Sequence, residues 1–163
     1  MVDATPAQLY RQAAQAQIDG NLDRAEALYH QLIAGGQATA PLLSNLAVLY
    51  KQTGRLDASR ALLQQAIARF PEVASLRHNY ANLLHELGDY AAVVEQEHQA
   101  LALGMEGPDA CLTLAQAQEC LGHLDAAQAA NEQALQRAPG HPTALLNLGA
   151  LAARQGNYSQ AEA

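Results

Sequence analysis

The chain has 163 residues, half of them hydrophobic but only 4% aromatic, with 9 Lys and Arg against 16 Asp and Glu for a formal charge of −7. An acidic chain repels a phosphate backbone, which argues against a nucleic-acid partner. No apolar run approaches the ~20 residues of a membrane span, and the first residues, Met1 to Leu9, lack the basic cluster and apolar stretch of a secretory leader.

Gly20, Gly54, Gly88, Gly122 and Gly156 recur with a period of 34 residues. Seven residues before each stands Ala13, Ala47, Ala81, Ala115 or Gly149, and five after it Ala25, Ser59, Val93, Ala127 or Ala161. A register held through five units predicts a solenoid of helix pairs, with a turn at each glycine. The expected units are residues 6–39, 40–73, 74–107, 108–141 and a partial 142–163, forming one array over 1–163.

In chain order, the first unit is the most polar, which suits an N-terminal cap, and Gly35-Gly36 reads as its interhelix turn. The second is the clearest. Pro41 sits at a favoured helix start, and Leu42, Leu43, Leu46, Leu49 and Tyr50 follow at helical spacing. Gly54 breaks the helix where a left-handed residue is needed. Leu56, Leu62, Leu63, Ala66 and Ile67 mark a second helix that ends at Phe70-Pro71, since a residue before proline leaves the helical region. The third unit ends instead at the glycines of Leu103-Gly104-Met105-Glu106-Gly107-Pro108. In the fourth, Cys111 falls at a core position and reads as a buried thiol. Cys111 and Cys120 lie about 13 Å apart along one helix, too far for a disulfide, so a reduced, cytoplasmic setting is expected. The fifth unit stops at Ala163, soon after Tyr158 opens its second helix. That ending predicts a truncated chain or one segment of a longer protein, with Leu145, Leu148 and Leu151 incompletely covered and end-to-end self-association through residues 142–163.

The small residues are expected where the helices of a pair cross, because a larger side chain would push the axes apart. With them, the 34-residue unit resembles the tetratricopeptide repeat: Leu43, Leu46-Ala47, Tyr50, Gly54, Ser59, Leu63, Ala66 and Pro71 fall on that family's signature positions. The resemblance covers residues ~5 to 163. It implies an all-α, right-handed superhelical solenoid of antiparallel helix–turn–helix units whose first helices line a concave groove. Gln12, Arg77 and Gln118 depart from it, standing where apolar residues are usual.

The candidate groove residues follow from that implied geometry. Nine residues before each turn glycine stand Arg11, Asn45, Asn79, Thr113 and Asn147. The asparagines resemble the asparagine ladder in the tetratricopeptide arm of O-linked N-acetylglucosamine transferases. A primary amide pairs with both the C=O and the N–H of a peptide unit, so a row of them can hold an extended chain. If these side chains face a solvated groove, replacing them leaves the fold unharmed. His78, Asn82 and His85 share one helical face. The two histidines are about 10 Å apart along the axis, too far to ligate one ion. Lys51 and Arg11 are the near candidates for a carboxylate clamp of the kind that grips chaperone C-termini, too few for that role.

There is no phosphate loop, Cys/His metal spacing or Gly-x-Ser-x-Gly motif. The expectation is therefore a non-catalytic scaffold without cofactor or metal, binding a protein or extended peptide through Asn45, Asn79, Asn147, Asn82, His78, His85, Lys51 and Thr113. The alternatives are the substrate-recruiting arm of a larger enzyme, such as a glycosyltransferase, and a module that assembles end to end.

Overall fold

The computed structural model describes residues 5–161, which form α-helices with no β-strand among them. The helices are α1 (Pro6–Ile18), α2 (Leu22–Ala34), α3 (Ala40–Gln52), α4 (Leu56–Arg69), α5 (Ala74–Glu86), α6 (Tyr90–Ala102), α7 (Asp109–Cys120), α8 (Leu124–Arg137) and α9 (Pro142–Ala161). The fold is an all-α helical repeat. It divides into two compact units, residues 1–79 and 80–163, with the boundary inside α5. None of the helices among the described residues is long and apolar enough to cross a membrane.

Local chemistry sets the helix ends. Thr5 and Gln8 cap α1 reciprocally, each side chain bonding the other's backbone N–H, with Pro6 opening the helix. Gly20, Gly54, Gly88 and Gly122 all take positive φ, between 75° and 80°. The residue after each returns its N–H to the carbonyl five positions back, as Arg55 does to Tyr50 at 2.8 Å and His123 to Gln118 at 2.9 Å. This left-handed closure satisfies carbonyls that the helix end leaves open.

Gly156 departs from the pattern. It lies inside α9, which runs through it without a turn. A left-handed glycine is held by the returning helix that packs on the first. In α9 the helix carries on through the glycine as far as Ala161. Tyr158 and Ala161, read as the start of a second helix, belong to this same helix.

The crossing points follow the small-residue pattern in both units. In residues 1–79, Ala13, Ala25, Ala47 and Ser59 are buried, and Ser59 Oγ donates to the Ala47 carbonyl at 2.8 Å. In residues 80–163, Ala81, Val93, Ala115 and Ala127 are buried likewise. One core column changes character along the chain. Tyr29 and Leu63 occupy it in the first unit, while Glu97 and Asn131 stand at the same repeat position in the second, all four buried. Asn131 satisfies its amide by donating to the Ala127 carbonyl at 2.9 Å. Gln118, also buried, bonds the His123 ring at 2.9 Å, so the fourth unit keeps its polar core residues hydrogen-bonded.

Candidate functional site

The asparagines of the expected ladder are half-buried and engaged within the fold. In residues 1–79, Asn45 Nδ2 donates to the Tyr10 hydroxyl at 3.0 Å, and Asn79 Nδ2 donates to Ser44 Oγ. Around Asn45 the bonding continues: Tyr29 donates to Gln17 Oε1 at 3.0 Å, and Gln17 Nε2 reaches Gln52 Oε1 at 3.0 Å. Burial pushes the Tyr10 and Tyr29 phenols above their ordinary pKa, so both remain hydroxyl donors across the physiological range.

Three of these bonds join residues 35 positions apart, one repeat plus one residue. In residues 80–163 the ion pair of Arg154 with Glu119 has the same offset. The offset is what successive first helices need when each is displaced along its axis relative to the last. It also explains Asn147. The residue 35 positions before it is Leu112, which cannot accept a hydrogen bond, and Asn147 Nδ2 turns instead to Asn131 Oδ1 at 3.1 Å. Thr113, which interrupts the asparagine row, donates to Asn82 Oδ1 at 3.4 Å. The expectation that these amides stand in a solvated groove is thus corrected: each spends a donor on holding the fold.

The remaining candidates are distributed as follows. Lys51 is half-buried near the end of α3, and His78 and Asn82 are half-buried on α5. His85 is half-buried near the end of α5. Its ring sits edge-on to Tyr90 with 5.4 Å between centroids, and its Nε2 is buried without a hydrogen-bond partner. Arg11 is exposed. Of the three leucines expected to lack cover, only Leu145 is exposed; Leu151 is buried and Leu148 half-buried. Leu151 shares a helical face with the buried Ala144, and the open face belongs to Leu145 and Leu146, which are 52% and 73% exposed.

One polar cluster was not foreseen. Arg55 donates to both carboxylate oxygens of Glu26, at 2.7 and 2.6 Å, and lies 4.4 Å above the Tyr50 ring. Tyr50 in turn meets His30 Nε2 at 3.1 Å. The bidentate contact holds the Glu26 carboxyl below its usual pKa. No sequence spacing links a second helix to the turn of the next repeat, so only the fold brings these groups together.

Both cysteines are free; Cys111 is buried and Cys120 exposed. Burial raises the Cys111 thiol pKa, which leaves it protonated and unreactive at neutral pH. Among the described residues no group of His, Cys, Asp and Glu could hold a metal ion.

Comparison with known proteins places this geometry. Family models described as tetratricopeptide repeat match residues 16–78, 74–96 and 112–163. None of the curated proteins matches. Among solved structures, a tetratricopeptide repeat protein from Parabacteroides merdae is 20% identical with a TM-score of 0.80; the match covers 96% of this chain but 62% of that one, so this chain spans less than two thirds of its length. MamA protein is 18% identical with a TM-score of 0.80, over 96% of this chain and 85% of the other. The first tetratricopeptide-repeat domain of Spaghetti (RPAP3), solved bound to the HSP90 peptide SRMEEVD, is 20% identical with a TM-score of 0.69, over 72% of this chain and 93% of the other.

Proposed function

This chain carries tetratricopeptide repeats, and from that premise we propose that it is a non-catalytic scaffold binding a partner protein or an extended peptide along the first-helix faces of its repeats. The observation that carries the reading is the peptide-bound Spaghetti domain, which shares the fold over most of its own length. The faces formed by α1, α3, α5, α7 and α9 have the chemistry such a role needs. Amide, hydroxyl and imidazole groups recur on them, and each asparagine bond within the fold uses one of two amide hydrogens, leaving capacity for a peptide unit. Asn45, Asn79 and Asn147 then both space the repeats and meet the ligand backbone, with Thr113, Asn82, His78, His85 and Lys51 as their neighbours. Two free thiols agree with a reduced compartment such as the cytoplasm.

The test is selection of binders from a library of unstructured peptides, followed by calorimetry on the native chain and on Lys51→Ala and Asn82→Ala variants. Binders that weaken with these changes in folded protein support the reading. Peptides whose affinity ignores every first-helix substitution would move the binding surface elsewhere.

A further inference from the structure

Within residues 1–79, α1, the end of α2 and the start of α3 border an open cavity of about 440 Å³, a size that suits a large side chain or a small ligand. Most of its lining is apolar: Tyr10 of α1, Leu32 of α2 and Leu42 of α3, with Pro6 beside them. The polar part comes from the loop between α2 and α3. There Gly36 takes a φ of +81°, the Gln37 N–H returns to the Leu32 carbonyl at 2.9 Å, and the Thr39 N–H bonds the Gln37 carbonyl at 2.8 Å. This closure folds the loop across the end of α2 and brings Gln37 and Thr39 to the cavity.

Two properties of the lining limit what fits. None of the described residues that line it is charged, so an ammonium or carboxylate group entering it would lose water without gaining a counter-ion. Two hydrogen-bonding side chains are also unspent. Thr39, the N-cap of α3, makes no capping bond with its hydroxyl, and the exposed Gln37 amide bonds no other side chain or backbone group among the described residues. A hydroxyl and a primary amide can meet the N–H and the C=O of a peptide unit while the apolar lining takes the side chain. The location agrees. Tyr10, which lines the cavity, accepts an amide hydrogen of Asn45 at 3.0 Å. A peptide whose backbone meets Asn45 therefore runs beside the cavity.

We propose that this cavity is the selectivity pocket of the peptide-binding face. It takes one uncharged, apolar side chain of the partner, of leucine or phenylalanine size, while Gln37 and Thr39 bond the adjoining peptide unit. This rests on the scaffold reading above for the nature of the partner and adds the kind of residue that anchors it.

The experiment uses the full chain and four small probes, the N-acetyl amides of leucine, phenylalanine, lysine and glutamate. Each is titrated while NMR follows the signals of Tyr10, Leu32, Gln37, Thr39 and Leu42. The leucine and phenylalanine probes should move these signals saturably, with affinities at least about tenfold above those of the two charged probes. Ala7→Phe, at an exposed position that lines the cavity, fills it and should abolish the shifts. Thr39→Ala removes no capping bond, so it should weaken the leucine probe severalfold and leave the melting temperature in place. In peptides from the library selection, replacing the anchoring apolar residue by lysine should cost about tenfold with the native chain and nothing further with Ala7→Phe. Equal response to all four probes, or a leucine probe indifferent to both variants, overturns the inference, and selected peptides that still bind would leave the scaffold reading intact. Cavity signals that move with protein concentration alone would make a second copy the occupant. Close contacts between the Val2 methyl groups and Leu32 in the free chain would make it the protein's own N-terminus. Either result overturns the inference. Absence of any peptide binder, with the leucine probe seated as expected, would instead remove the scaffold reading and with it the peptide as occupant.

Discussion

Asn45 Nδ2 lies 3.0 Å from the hydroxyl of Tyr10, a residue one repeat and one position earlier in the chain. The bond ties α3 to α1 at a half-buried point, so the amide has a structural duty whatever it binds. Asn45→Ala should therefore lower stability in urea unfolding. The lost bond costs ~0.5–1.5 kcal/mol net, and alanine's better helix propensity returns about 0.5 kcal/mol of it. An unchanged unfolding midpoint would show that water replaces the amide without loss.

The crossing of α3 and α4 offers a sharper test of packing. Ala47 is fully buried, and its carbonyl accepts the Ser59 hydroxyl. Ala47→Leu should destabilise by ~1–3 kcal/mol, because the added carbons have no space between the helix axes. Loss of this order, with helical content retained below the transition, is the expected calorimetric result.

These two sites mark what the sequence reveals and what it hides. Ala47 is legible because its requirement is local: a small residue recurs at one repeat position wherever two helices cross. The Asn45–Tyr10 bond is not legible, because its register depends on how far each helix slides along the last. The 34-residue period carries no trace of a 35-residue contact. Glu97 and Asn131 were hidden for a related reason. Charge and polarity suggest the surface, yet their repeat position is that of Tyr29 and Leu63, and position decides burial. The asparagine column falls on α3, α5 and α9, and its half-buried state follows from neighbours such as Tyr10 and Ser44 that a repeat alignment does not pair with it.

The Glu26–Arg55 contact gives the fold a dependence on acidity. The folded carboxyl is held below its unfolded value, chiefly by its hydrogen bonds to Arg55. The contribution is complete above the unfolded pKa of about 4.3 and is lost as pH falls through the lower folded value. Stability measured from pH 7 downward should fall less steeply at its acid end in Glu26→Gln than in the native chain. The difference should be small, because both partners are partly solvated, and smaller still at high salt. Identical acid limbs would mean that solvent screens the pair completely.

The two thiols should separate cleanly by reactivity. Cys120 is exposed, whereas Cys111 is buried with its pKa raised by that burial. A raised pKa means that less thiolate forms at a given pH, so mild alkalinity alone will not release Cys111. Mass spectrometry after brief treatment with a maleimide at pH 8 should find one adduct, on Cys120. The second should appear only with denaturant, following the unfolding curve. Rapid double labelling of the folded chain would contradict the burial of Cys111.

Gly54 and Gly156 are equivalent in the period and opposite in conformation. Gly54 holds φ at +75°, where a Cβ meets no neighbouring atom but the backbone itself is strained for an L-residue. Gly156 sits within α9, also with open space where a Cβ would stand. The same substitution should therefore act with opposite sign. Gly54→Ala forces alanine into the left-handed region and should cost ~1–2 kcal/mol. Gly156→Ala places the best helix former in a helix interior and removes freedom from the unfolded chain, which favours the helix locally by ~0.5–1 kcal/mol. Because the gain is local, hydrogen exchange resolved by residue reads it better than global melting: amides of α9 following Gly156 should be more protected in the variant. Should Gly156→Ala instead reduce protection there, the glycine would be adopting the left-handed turn that the repeat period predicts, and α9 would end before it.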